Sequence, residues 1–220
     1  MRRVLSSLFV ILAGAVAAEA QTLAFDDDKA GGPPKGMTCA LSGKGRPGSW
    51  RVLGDATAPS SPHVLAQTDA DETGYRFPHC VADGLVAQDL TLSVRFKPVS
   101  GQVDQAAGLV WRYRDADNYY VVRANALENN VVLYKLESGR RTDLPLEDEG
   151  RTYGKKATVA SGAWSSLAVN VKGNRFEVVF NGAKLYVVED ATFTGPGRVG
   201  VWTKADSVTH FDDLKLAVIR

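Results

Sequence analysis

Residues 107–135 read AGLVWRYRDADNYYVVRANALENNVVLYK, and this stretch decides the fold. Three runs rich in Val, Leu, Tyr and Trp, at Gly108–Tyr113, Asn118–Arg123 and Val131–Leu136, are separated by short polar, Asx-rich segments, the pattern of consecutive strands. Arg112 and Arg123 lie inside these runs. A guanidinium among apolar and aromatic neighbours must reach water across one face of a sheet or meet an anionic or polar partner.

Outward from this stretch the β signal continues. Leu90–Lys97 alternates strictly: Leu90, Leu92, Val94 and Phe96 face one way, and Thr91, Ser93, Arg95 and Lys97 the other, so one face is core and the other wet. Downstream, Ser138-Gly139 marks a hairpin turn into Arg141–Leu146. Trp164–Val171, Arg175–Phe180 and Lys184–Val188 form a meander, with Trp164 read as core. Gly173-Asn174 and Asn181-Gly182 join these strands, and both pairs supply the positive φ angles of two-residue hairpin turns. Gly197–Thr203 and Val208–Val218 close the chain. No segment carries an apolar period of 3.6 over ten residues. The expectation is an all-β, two-sheet jelly-roll sandwich in which the wet face of one concave sheet offers a place for an extended polar ligand.

The first part of the chain is less regular. Residues 1–20 read as a signal peptide: Arg2 and Arg3, an apolar run Leu8–Val16 too short to span a bilayer, then Ala18-Glu19-Ala20. This predicts export to the periplasm or medium, a mature chain from Gln21, and no membrane span after cleavage. Residues 21–220 then form one domain, loop-rich over 21–89. Leu23–Arg51 is broken by Gly31-Gly32-Pro33-Pro34 and by Gly43–Gly48, and Pro78 confines Tyr75–Val81 to an edge or irregular position. Cys39 and Cys80 both lie in the exported part, which predicts a disulfide.

With 26 basic and 25 acidic residues, the chain lacks a field that recruits nucleic acid or anionic membrane. Such a neutral surface suits a neutral ligand such as a carbohydrate, as it suits other neutral ligands. There is no G-x-S-x-G elbow, phosphate-binding glycine loop, H-E-x-x-H or paired C-x-x-C. His63, His79 and His210 are scattered, with His210 singled out by its strand position beside Phe211. A sugar platform needs an aromatic ring on a polar face, and Tyr134 and Trp202, flanked by Lys135 and Lys204, are the candidates. Arg95, Arg112 and Arg123 present donor forks from strands. Arg123 and Asn125 form the more informative pair, where a strand enters a polar loop. Asp26-Asp27-Asp28 and Asp212-Asp213 lie near opposite chain ends, and pairing of terminal strands would offer Asp27, Asp212 and Asp213 as oxygen ligands to calcium. Paired catalytic carboxylates are scarce within strands: Glu177 is one, while Glu128 and Glu147-Asp148-Glu149 fall in loops or strand ends.

GLVWRYRDADNYYVVRANALENNVVLYKLESGRRTDL, with GNRFEVVFNGAKL, GRVGVWTKAD and HFDDLKL, resembles the 3-keto-disaccharide hydrolase domain family over Leu90–Leu216. That resemblance implies a concanavalin-like jelly roll with a carbohydrate-facing sheet and, for some members, cleavage of a glycosidic bond beside a 3-keto sugar. In such chemistry one base and one enolate stabiliser suffice, with Arg112 or Arg123 as stabiliser and His210 or Glu128 as base. The alternatives are a non-catalytic carbohydrate-binding module and a structural, envelope-associated sandwich.

Overall fold

The computed structural model describes residues 20–219, so the predicted signal peptide lies outside the described residues apart from Ala20. Among the described residues, sixteen strands, numbered in chain order, form two curled antiparallel sheets. In the first, β14 (Ala183–Glu189), β13 (Arg175–Phe180), β12 (Ser165–Lys172), β6 (Leu90–Ser100), β16 (Val208–Val218), β4 (His63–Gln67) and β3 (Trp50–Gly54) lie side by side, with β1 (Ala20–Leu23) also on β16. In the second the order is β10 (Arg140–Asp143), β9 (Asn130–Glu137), β8 (Asn118–Asn125), β7 (Ala106–Asp115), β15 (Gly197–Trp202), β5 (Arg76–Ala87) and β2 (Met37–Gly43), with β11 (Lys155–Lys156) also on β9. The expected two-sheet sandwich is the observed one. Among the described residues, no helix is long and apolar enough to cross a membrane.

The core follows from the alternation. Leu92, Val94 and Phe96 of β6 meet Leu109, Trp111, Tyr120 and Val122 of the facing sheet. Trp111 stacks on Tyr120 and meets Phe176 of the first sheet edge-on, with ring centres 5.4 Å apart. Each such aromatic contributes roughly 1.5–3 kcal/mol through burial alone. The outer face of the second sheet is apolar too: Phe77, Val81, Val110, Tyr119, Val121, Val132, Tyr134, Leu136 and Trp202 form a separate buried cluster. Covered on both faces, β7–β9 need apolar residues at nearly every position. That is why residues 107–135 read as continuous apolar runs rather than as the clean alternation of β6.

The irregular first part holds two corrections. Met37–Gly43, inside a segment read as loop, is β2. Tyr75–Val81, read as an edge, belongs to the twelve-residue β5, which lies between β15 and β2. Pro78 is tolerated because β15 ends at Trp202 beside it. The Pro78 carbonyl accepts the Thr203 N–H just past that end, so the missing donor falls where the ladder stops. Cys39 and Cys80 are direct partners across β2 and β5 and form the expected disulfide. Of the predicted turns, Asn181 and Gly182 both have positive φ, at 48° and 80°, whereas in 173–174 only Gly173 does.

Candidate functional site

The outer face of the second sheet carries a polar network at one end. Strand alternation sets Tyr119, Val121, Arg123 and Asn125 of β8 outward, and Asn130, Val132 and Tyr134 of β9 beside them in register. The β8–β9 turn bends because the Asn125 side-chain carbonyl accepts the Leu127 N–H (2.9 Å), an Asx turn, with Asn129 in the left-handed region (φ 48°). The turn folds Glu128 back over the sheet. Arg123, wholly buried, donates through Nη2 to Glu128 Oε2 (2.7 Å) and the Tyr134 hydroxyl (3.2 Å), and through Nη1 to Asn130 Oδ1 (2.6 Å). Arg123 Nε is buried without a partner.

A second acid arrives from the loop ahead of β7. The Asp206 carboxylate accepts the backbone N–H groups of Gln102, Val103 and Asp104 and fixes that loop. Asn125 Nδ2 then donates both to Asp104 Oδ1 (2.6 Å) and to Glu128 Oε1 (3.3 Å). Because the two contacts share one nitrogen, the two carboxylates are neighbours, with those oxygens at most 5.9 Å apart (2.6 Å plus 3.3 Å). Lys204 Nζ lies 3.1 and 2.8 Å from the two oxygens of Asp104. The two acids are pushed in opposite directions. Burial raises the Asp104 pKa above the usual carboxylate range against the pull of Lys204. Burial also works on Glu128 but is outweighed by Arg123 and Asn130, and its pKa is lowered. Tyr153, 44% exposed, meets Tyr134 edge-on and sits beside Arg123.

Of the sequence candidates, Arg123, Glu128, Asn125 and Tyr134 are brought together here. Trp202 shares this face but is wholly buried, stacked on Phe77 and donating to the Tyr119 hydroxyl, so it is no open platform. Lys135, next to Tyr134 in a strand, points the opposite way and contacts Thr192, Glu137 and Asp190. Arg112 lies on the bulge of β7, where its guanidinium donates to the carbonyls of Gln88, Phe193 and Gly173. His210 and Arg95 lie on the outer face of the first sheet, so neither joins Arg123. His210 Nδ1 is 2.8 Å from Asp55, which also accepts from Lys97. Trp164 sits there as well, half-buried under Lys97 and donating to Thr57; it is not a core residue. Asp212 accepts from Ser60 and from the Asp213 N–H, and Asp213 pairs with Lys215. Asp27 lends only its backbone carbonyl to Lys35. Among the described residues no group of three or more His, Cys, Asp or Glu gathers as a metal site.

Asp104, Asn130, Tyr153 and Arg141 were missed from the sequence, and Lys204 was named only as a neighbour of Trp202, because the five come together only when five separate loops and strands meet. Two grooves of about 300 and 350 Å³ lie elsewhere, one lined by Asn170, Lys172, Arg175 and Ile219 and the other along Thr22–Asp28. Neither contains a buried polar atom lacking a partner, so the Arg123 network is the stronger candidate.

No protein-family model matches the sequence, and no curated protein does, so the 3-keto-disaccharide hydrolase resemblance rests on the residues quoted above. Solved structures share the fold. The carbohydrate-binding module CBM66 from Bacillus subtilis superposes with a TM-score of 0.63 at 17% identity, over 82% of this chain and 94% of that one. The cellulose-induced protein Cip1 gives 0.57 at 13% identity, over 83% and 93%. The GH43 protein BlXynB from Bacillus licheniformis gives 0.51 at 15% identity, over 77% of this chain and 34% of that one. At these identities the likeness is one of fold: the chain is a jelly-roll β-sandwich.

Proposed function

We propose that this chain is an exported protein that binds a carbohydrate on the outer face of its second sheet, around Arg123, Glu128 and Tyr153. The observation that carries the reading is the buried Arg123, tied to Glu128, Asn130 and Tyr134 with Nε left over, beside a half-exposed tyrosine. Buried ion pairs contribute little net stability. Fixed donors and acceptors beside an aromatic ring are what hydroxyls and the C–H face of a pyranose require. The fold shared with a carbohydrate-binding module supports the reading, as do the signal-like N-terminus and the disulfide, which is compatible with export.

The test is calorimetric titration of neutral and charged oligosaccharides against wild type, Arg123→Met and Tyr153→Ala. Binding by wild type that is lost in Arg123→Met and weakened roughly tenfold in Tyr153→Ala supports the site. Equal binding by all three proteins, or none by wild type, overturns it.

A second reading has its own observation, the neighbouring Asp104 and Glu128 with opposed pKa shifts. In cleavage of a 3-keto glycoside, Glu128 takes the acidified C–H proton, the C–H electrons form an enolate beside Arg123, and the enolate expels the glycosidic oxygen, which leaves as the alcohol with the proton of Asp104. Water then adds to the alkene. The ion pair with Arg123 makes Glu128 a weak base, so binding without turnover is the first reading. Release of the aglycone from a 3-keto glycoside by wild type, absent in Glu128→Gln, would reverse that order.

A further inference from the structure

Arg141, the second residue of β10, stands opposite Leu136 on the same outer face as Arg123. Its guanidinium carbon lies 4.5 Å from the centre of the Tyr134 ring and 4.7 Å from that of Phe77. Two rings therefore hold the fork. Among the described residues no carboxylate pairs with it, since the nearby Asp143 is committed to Arg151 (2.8 Å). Its Nη1 is buried without a partner, while Nε and Nη2, also without a protein acceptor, keep contact with solvent. Arg123 shares the Tyr134 ring at 5.9 Å and contributes the second orphan N–H.

Glu128 pairs with Arg123, Asp104 with Lys204, and the Asp206 carboxylate is taken up by three backbone N–H groups, so Arg141 is left without a carboxylate of its own. Burial of Asp104 favours its protonated form and lowers the negative charge beside Lys204. Next to Arg141, Tyr75 is 38% exposed, and its hydroxyl accepts the Arg141 backbone N–H (2.5 Å). An exposed ring thus lies beside an unpaired planar donor fork.

We propose that the carbohydrate bound here is acidic: a uronic-acid residue whose carboxylate is received by Arg141 and whose ring packs on Tyr75 or Tyr153. This rests on the carbohydrate-binding reading and names its ligand class. A carboxylate matches the planar fork in two-point contact, which a neutral hydroxymethyl or a methyl ester does not. Arg95 is an internal control. Its Nε is likewise buried without a partner, but it lies on the first sheet with no aromatic ring over it.

The experiment is calorimetry with trigalacturonate, its methyl ester and xylotriose against wild type, Arg141→Met, Arg141→Lys and Arg95→Met. Methionine keeps an apolar stem between Phe77 and Tyr134 while removing the charge. Wild type should bind trigalacturonate at least about tenfold more tightly than the ester, a preference that weakens as salt is raised. The preference should vanish in Arg141→Met, persist in part in Arg141→Lys and stay whole in Arg95→Met. Equal binding of acid and ester overturns the inference, as does a preference that survives in folded Arg141→Met or is unmoved by salt. If xylotriose binds and the acid binds no better, the acidic ligand fails while the carbohydrate site stands; if no sugar binds, both fail.

Discussion

Arg112 and Arg123 sit in the same sheet, one on each side of the β7–β8 hairpin, and both are buried to within 1% of completely. Their partners differ in kind. Arg112 donates to three backbone carbonyls, those of Gln88, Phe193 and Gly173, and at 3.4 Å to the Asp89 carboxylate, and so ties the β5–β6 turn to the β12–β13 turn and to the segment before β15. Arg123 donates only to side chains, Glu128, Asn130 and Tyr134, and keeps a donor unused. Carbonyls belong to the chain whatever it binds, so Arg112 is a fastening. Side-chain acceptors can turn toward a ligand, so Arg123 is the better site. The backbone around Arg112 is also committed: Arg112 is in the left-handed region (φ 48°), and a Cβ on Gly197 would come within 2.6 Å of its Cα.

This contrast predicts opposite balances of stability and binding. Arg112→Met leaves three carbonyls without donors and should lower unfolding free energy by about 3–5 kcal/mol in urea titration, with affinity unchanged for the fraction that stays folded. Arg123→Met should cost less, because Glu128 can turn to water. Similar stability loss in the two variants would break the comparison.

Removal of the disulfide sharpens it by weakening the fold at β2 and β5, β5 being three strands from β8 in the sheet order. Closing a loop across a sequence separation of 41 residues, the Cys39–Cys80 bridge contributes about 4 kcal/mol in the chain-entropy model. Cys39→Ser with Cys80→Ser should show that loss in denaturant, with ligand affinity at low temperature unchanged. A loss of affinity would mean that the site depends on β2.

A third test uses pH. His79 is wholly buried on the same outer face, between the Phe77 carbonyl and the Tyr113 hydroxyl, and burial pushes its pKa from 6.5 down to about 4. The folded state therefore binds a proton less readily than the unfolded one. The resulting stability is fully present above pH 6.5 and is lost as pH falls toward 4, by about 3 kcal/mol. His79→Gln should flatten that slope in melts between pH 7.5 and 4.5, and an unchanged slope would contradict it. The smallest effect is at the other sheet: Arg95→Met should change stability by no more than about 0.5 kcal/mol and leave binding untouched.

The sequence carried most of the regular half. Alternation in Leu90–Lys97 and the apolar runs of residues 107–135 marked β6–β9 to within a few residues, because side-chain period and burial act locally. β2 and the central place of β5 were hidden, since Gly and Pro signals outweighed a short strand whose partners lie some forty residues away. For the site, the turn RANALENN kept Arg123, Asn125 and Glu128 together in sequence and made them legible. Asp104 and Lys204 were not, because the loop that unites them is closed by the Asp206 carboxylate, a contact spanning about a hundred residues with no local signature. His210 and Arg95 looked equivalent to Arg123 because period-two alternation gives the face of a strand but not which sheet it joins.

The most direct test of the site is amide chemical-shift mapping of the folded chain with trigalacturonate and with xylotriose. The predicted result is saturable perturbation centred on Asp104, Arg123, Glu128, Arg141, Tyr153 and Lys204. Perturbation confined to the first sheet around Lys97, Trp164 and His210, or to the groove at Asn170 and Arg175, would contradict it, as would no perturbation at millimolar sugar.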